Sequence, residues 1–313
     1  MRLIVSLRDF GRRHRVPIVI VGSIAAAAGF VYMLSGKRDE FSTALSSASA
    51  AILLATIVLQ IVALVSRTEA WHLSIEAAGG AVSRRVLFRA SSMQVVGSVF
   101  NGHLGVAARI AALRRSSPDV SPQVPTLIAA EFPILAVEAV LAAGASFTLI
   151  GPLDIRWWAP VIAILVIVTL SAGMRHLAAR EARELWRGLA VIRCLSRGPR
   201  VVAFVMVAVF AQIFRNWILL HAVGVDASFL DSIAVLIGLV VLSQLPIGPS
   251  TGVAASVLIL GSDGVAATAA AGVLMTATGT LGGLSFLAWA GGDSLMHRAQ
   301  DRRRAHAARR HRV

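Results

Sequence analysis

Residues 231–260 read DSIAVLIGLVVLSQLPIGPSTGVAASVLIL, an apolar stretch broken in its middle by Pro246, Gly248, Pro249 and Gly252. Proline removes a helical N–H and glycine weakens the helix, so one straight crossing of a bilayer does not fit. The charges outside the stretch decide what it does instead. All but four of the 30 lysines and arginines fall in five blocks, at 2–15, 67–89, 109–115, 175–200 and 298–312. The four exceptions are Lys37, Arg38, Arg156 and Arg215. Basic residues are retained on the cytoplasmic side, which places all five blocks inside. Counting the first arm of 231–260 as a full crossing would carry the last block outside. The segment therefore reads as a re-entrant hairpin entered from the outer face.

Working outward, apolar runs at 16–34, 44–66, 124–150, 157–173, 201–222 and 265–290 read as six full spans. Each is roughly 17 to 27 residues long, enough for a hydrocarbon core of about 30 Å. Both termini then lie in the cytoplasm. The loops left outside, 35–43, 151–156 and 223–231, are neutral or acidic, as this orientation requires. The run from Val16 follows Arg2, Arg8, Arg12, Arg13 and Arg15 like a secretory signal, but its length reads as an uncleaved first helix.

A second broken segment, residues 93–110, reads MQVVGSVFNGHLGVAARI around Asn101, Gly102 and Gly105, with arginine blocks on both sides. It reads as a hairpin re-entering from the cytoplasm. The two segments share a local likeness, GHLGVAA at 102–108 against PSTGVAA at 249–255. Span, hairpin, span thus occurs at about 44–150 and again at about 201–290 in opposite orientation. Inverted repeats of this kind are how many transporters build a site from broken helices. The expected fold is all-α: one polytopic membrane domain over residues 1–313, with basic tails at 1–15 and 298–313.

Composition agrees with that reading. The chain is 57% hydrophobic with a mean hydropathy of +0.76, leaving no room for a separate soluble catalytic domain. A net charge of +14 alone would fit nucleic acid, but the charges flank apolar spans and are not interleaved with aromatics. Anionic inner-leaflet lipid is the expected partner, and nucleic acid is not. Cys194 stands alone, which excludes an intramolecular disulfide or a cysteine-rich metal site. Ala178, Ala182, Leu185, Leu189 and Ile192 recur at helical spacing, so the 175–200 loop reads as a helix lying on the inner surface.

Asn101–Arg109, NGHLGVAAR, resembles the Pro-Gly-Arg-x-Gly-Glu-x-x-Arg element of the flippase-like transmembrane region of lysylphosphatidylglycerol synthases and related membrane proteins. Residues 245–253, LPIGPSTGV, resemble that family's second element, Leu-Pro-x-Pro-Gly-Gly-x-Gly followed by Glu. The resemblance covers roughly residues 40–290. It implies movement of aminoacylated or otherwise modified lipid between the leaflets of a bacterial cytoplasmic membrane. The chain departs from the pattern at charged positions. His103 stands for Arg, Val106 for Glu, and Asn101 for Pro, while Gly102, Gly105 and Arg109 are kept. Glu131 is retained, but Phe132 and Leu135 replace an Arg and an Asp of the next span. Pro246 and Gly252 match, and Ala254 and Ala255 occupy the region of the second Glu. The resemblance therefore implies altered cargo, or none.

Charges within apolar spans need a reason, because insertion costs about 2.5–3.5 kcal/mol each at the bilayer centre. Glu131 and Glu138 lie two turns apart on one face, either lining a route or bonding helices together. Pro133 should kink that helix beside Glu131. Glu138 and Arg215 each lie about 21 Å from the cytoplasmic end of their spans, a depth at which they could pair. Arg215 could also snorkel. Arg109 suits a lipid phosphate or a surface anchor. His103, at a hairpin tip, either titrates or satisfies carbonyls, and Gln244 and Asn216 either bind cargo or join helices.

The sequence offers no nucleotide-binding loop, zinc-ligand spacing or Ser-His-Asp arrangement. The expectation is a non-enzymatic translocator of a lipid or polyprenyl-linked headgroup, without cofactor and moving its cargo downhill or with an ion. The expected substrate-binding residues are Gly102, His103, Gly105, Arg109, Glu131, Glu138, Arg215, Gln244, Pro246 and Gly252. A membrane enzyme on lipid-linked substrates and a non-transporting scaffold remain alternatives, and a homo-oligomer is compatible with all three.

Overall fold

A computed structural model describes residues 15–98, 102–116, 122–180, 197–245 and 248–310. Every regular element among them is helical, in agreement with the all-α expectation. In chain order these are α1 (Arg15–Met33), α2 (Arg38–Ser47), α3 (Ala50–Ala77), α4 (Arg84–Ser98) and α5 (Gly102–Ser116). There follow α6 (Val124–Ala129), α7 (Phe132–Ala145), α8 (Ile150–Leu153), α9 (Trp158–Arg180) and α10 (Gly198–Ala222). The last are α11 (Phe229–Leu242), α12 (Thr251–Leu260) and α13 (Val265–Arg310), with short 3-10 turns before α8, α12 and α13.

Four helical stretches, Ala50–Ala77, Val124–Leu153, Gly198–Ala222 and Val265–Gly292, are long and apolar enough to cross a membrane. The shortest, 25 residues, rises about 37 Å, more than the hydrocarbon thickness. Large aliphatic side chains on these and neighbouring helices face outward, among them Leu54, Val58, Leu165, Val168, Leu170, Leu281 and Leu284. Apolar surface of that extent is stable in lipid and costly in water. The chain is a multi-pass α-helical membrane protein.

Local chemistry sets the helix ends. Ser49 caps α3 by accepting from the Ile52 amide at 3.4 Å, so the crossing expected from residue 44 starts at Ala50 and α2 stands apart. α3 also runs past the expected end at 66, as far as Ala77. Its added turns bury Ala70, Trp71, Ser74 and Ile75, which gives the polar tail of the helix a packing reason to continue. Gly79 at φ +88° then ends it, as Gly224 at φ +82° ends α10. Ser228 and Asp231 form a reciprocal capping box at the start of α11. The span expected at 124–150 is interrupted as foreseen: α6 stops at Ala129 and α7 begins at Phe132, with Pro133 in its first turn. The expected surface helix falls largely on residues 181–196, outside the described residues.

Both broken segments form packed helix pairs. In the first, a Cβ built on Gly105 would lie 2.9 Å from the Gln94 carbonyl oxygen, and one on Gly97 would lie 2.6 Å from the Leu104 carbonyl. Glycine here lets α4 and α5 touch backbone to backbone. Gly105 sits inside α5 and does not break a helix as the sequence suggested. α4 is described to Ser98 and α5 from Gly102, and residues 99–101 lie outside the described residues. In the second pair, Gly238 of α11 packs against Ala255 and Ile259 of α12.

α3 and α10 run antiparallel. Ser47 Oγ, just before α3, donates to the Ala222 carbonyl at 2.6 Å, and at the opposite end Ala70 and Trp71 share a core with Val201 and Val205. Ala63, Ala208 and Ala211 let the two helices approach closely at mid-length. Two apolar cores lie to either side of that middle. One gathers Leu219, Leu220, Val235, Ile259, Leu274 and Met275; the other gathers Trp71, Ile75, Leu87, Leu113, Leu127 and Ile134.

Candidate functional site

Two polar groups lie within the helical body. The first is a charge cluster in the core that contains Trp71. Arg109 of α5 is 1% exposed, its guanidinium carbon 3.8 Å from the centroid of the Trp71 ring, and it is ion-paired with Glu131, itself 6% exposed. The α6–α7 break positions Glu131, because its backbone caps α7 and its side chain turns inward. Arg67 of α3 pairs with Glu138 of α7 at 2.7 Å. Arg67 and Glu138 also act electrostatically on Arg109. Two cations and two anions thus form one neutral cluster, the arrangement that makes buried charge tolerable, and the face of Trp71 adds a cation–π contact.

This cluster corrects two expectations. Glu138 does not meet Arg215. Because α3 continues beyond residue 66, Arg67 reaches α7 and takes the carboxylate. Nor is Arg109 open to a lipid phosphate or placed at the surface as an anchor: its fork is occupied by Glu131 and shut away from solvent.

The second group lines a cavity of about 400 Å³ where both helix pairs meet α3, α10 and α13. Gln60 of α3 and Gln212 and Arg215 of α10 form its polar wall, joined by Gln94 and Ser98 of α4. Ser243, Thr251 and Gly252 come from the second pair, and Thr276, Gly279 and Thr280 from α13. Along α3 and α10 these residues fall between the two apolar cores, so the cavity lies at the waist between them. Ser98, Val240 and Thr280 are exposed at its rim, whereas Arg215 is 6% exposed.

Arg215 Nη1 donates to Gln60 Oε1, and Gln212 Nε2 donates to the same oxygen at 2.9 Å. Among the described residues Arg215 Nε has no partner, and no carboxylate lies within ion-pairing distance of this guanidinium. A cation at such depth costs about 2.5–3.5 kcal/mol even on insertion scales, so a neutral amide alone is a thin compensation. Glycine makes the room: a Cβ on Gly279 would lie 3.3 Å from Arg215 Nη1. Gly252 sets the wall, since its Cβ would lie 2.5 Å from the Gly272 carbonyl oxygen, and α12 therefore rests directly on α13.

Of the expected site residues, Arg215 and Gly252 line this cavity. Gly105 supports it indirectly by seating Gln94 and Ser98. Arg109, Glu131 and Glu138 belong to the charge cluster. Gln244 is exposed beside the cavity and donates weakly to Ser243 Oγ at 3.4 Å. Gly102 and His103 open α5, and their surroundings, like Pro246, lie outside the described residues. Asn216 is fully buried with both amide atoms unpartnered among the described residues. Sequence reasoning missed Gln60, Gln94, Gln212, Arg67 and Trp71. The available signal was one glutamine in the apolar part of each first span, at 60 and 212.

No protein-family model matches the chain, and no curated protein matches it.

Proposed function

We propose that this protein moves a lipid or lipid-linked headgroup across the cytoplasmic membrane. The observation that carries the reading is the shared cavity: both helix pairs and three long helices contribute to one open cavity whose largely apolar lining carries amides, hydroxyls and a single guanidinium. A headgroup crossing hydrocarbon needs polar partners to replace water, and irregular backbone at that depth is tolerated where it lines such a cavity. In this reading the chain has six full spans with both termini cytoplasmic, and the helix pairs are re-entrant. Their arms of 15, 15, 14 and 10 residues rise about 15–22 Å, too little to cross a core of about 30 Å. The order α3, α4–α5, α6–α8 recurs as α10, α11–α12, α13, and antiparallel packing of α3 on α10 suits an inverted repeat. The likeness to the flippase-like region of lysylphosphatidylglycerol synthases points the same way.

The competing reading is an enzyme acting on a lipid-linked substrate. The described cavity lining supplies amides, hydroxyls and one guanidinium, groups suited to holding a headgroup. Reconstitution into proteoliposomes carrying fluorescent headgroup-labelled lipids in the inner leaflet decides the matter. Transport predicts their appearance in the outer leaflet with unchanged mass. A changed lipid mass would establish the enzyme, and absence of movement for every lipid tried would remove the transport reading.

A further inference from the structure

We infer that the cavity recognises an anionic phosphoester bearing hydroxyl groups, and that Arg215 is the residue that binds its phosphate. This rests on the cavity being the cargo site, and it adds the chemical class of the cargo. The sign of the charge follows from the wall. Arg215 is the only ionisable side chain among the described residues that line the cavity, and it is buried without a carboxylate partner. A cationic headgroup, including an aminoacylated one, would meet like charge and, among the described residues, no acid.

The geometry specifies the anion further. A guanidinium carries five N–H donors in a planar fork suited to two oxygens of a phosphate. Here one bond goes to Gln60 Oε1, Nε has no partner among the described residues, and the side chain lines the cavity. Gln60 Oε1, which accepts from both Arg215 and Gln212, occupies the position an anionic oxygen would take. A phosphoester oxygen entering there releases Gln60 to bond the ligand from its own amide. The remaining polar lining is neutral: the hydroxyls of Ser98 and Thr251 donate to the backbone carbonyls of Val95 and Gly248 and can accept from a ligand, and the Gln94 amide can both give and accept, which matches hydroxyls of a glycerol or sugar. A volume of about 400 Å³ is at the small end for ligand pockets, sized for a headgroup with its chains outside.

The test uses the purified full chain in detergent and follows thermal unfolding with glycerol 1-phosphate, glycerol and choline, since a ligand that binds the folded state raises its melting temperature. A parallel arm places the protein in phosphatidylcholine nanodiscs with or without phosphatidylglycerol and reads retained lipid by native mass spectrometry. Glycerol 1-phosphate should stabilise the wild type and glycerol and choline should not; retention of phosphatidylglycerol would identify the lipid as the source of the headgroup. Arg215→Gln should weaken the phosphoester by roughly tenfold or more. Because that variant removes a buried side chain, Gln60→Glu serves as the second: it keeps the shape of the wall and gives Arg215 an internal anion. It should abolish phosphoester binding without lowering the melting temperature in the absence of ligand. Equal stabilisation of wild type and Gln60→Glu, or preference for choline, or no phosphoester binding in either arm, overturns the assignment. Transbilayer movement is measured separately, so a failed binding test leaves the transport reading standing and a failed transport assay leaves the phosphoester site standing.

Discussion

Arg109 of α5 and Glu131 at the α6–α7 break neutralise each other beneath the ring of Trp71, tying the first helix pair to the interrupted span. Both are nearly inaccessible, so removing either partner strands the other away from water. Arg109→Ala should destabilise the protein by about 3–5 kcal/mol, whereas replacing both residues with apolar ones of similar size should cost much less. Denaturation of the purified variants in detergent reads this directly. An Arg109→Ala protein as stable as wild type would show that the pair contributes nothing.

Arg67 and Glu138 meet at 2.7 Å with side chains that remain 35% and 25% exposed. The partial exposure keeps the expected effect small, about 1 kcal/mol for either single reversal. Exchanging them, Arg67→Glu with Glu138→Arg, should recover most of that loss, since the charges still face each other. Exchanging Glu138 with Arg215 should recover nothing. A rescue by the second exchange and not by the first would reassign the pair.

These two pairs show what sequence could and could not reveal. The helical class, the two interruptions and the kink at Pro133 follow from hydropathy and from the backbone chemistry of proline and glycine, which act within a few residues. Pairing does not act locally. Equal depth brought Glu138 and Arg215 to the same level, yet the partner is set by how each helix is turned about its axis and by where α3 ends. Trp71 and Ile75 extend that helix by packing, and nothing in the local pattern marks residue 67 as still helical. The cavity was harder still to foresee, because its wall takes two to four residues from each of six helices. Gln60, Gln94 and Gln212 share no spacing; they become a site only when α3, α4 and α10 are assembled.

The contact of Gly252 with Gly272 makes a sharp distinction among glycines. A Cβ on either would come within about 2.5 Å of the other's carbonyl oxygen. Gly252→Ala and Gly272→Ala should each destabilise by about 1–3 kcal/mol through overpacking and should lower any ligand binding in the cavity, because α12 must move off α13. Gly144 in α7 has open space where its Cβ would go. Gly144→Ala should be neutral or stabilising by up to about 1 kcal/mol. Melting curves of the three variants in one detergent would separate the cases, and equal behaviour would mean that α12 and α13 are not in close contact.

The proposed orientation can be mapped with single cysteines in a Cys194→Ser background, labelled in intact cells by an impermeant reagent. Exposure selects the positions. Ala227 in the α10–α11 loop is only 2% exposed, so Asp226 beside it is the better probe of that loop. Lys37 and Asp226 are exposed in loops that the charge distribution assigns to the outside, and Arg84 and Arg114 are exposed at the free ends of the α4–α5 pair, assigned to the inside. Cysteines at 37 and 226 should react in intact cells; those at 84, 114 and 307 should react only after permeabilisation. The position at 307 carries the decisive information about the second broken segment. If one arm of it crosses the membrane fully, the parity of crossings changes, α13 is inverted, and 307 becomes reactive from outside. If the segment re-enters, 307 stays protected while 226, only three residues before α11, reacts freely. Reaction at 84 or 114 in intact cells would overturn the inner placement of the first pair, and with it the opposed arrangement of the two hairpins around the cavity.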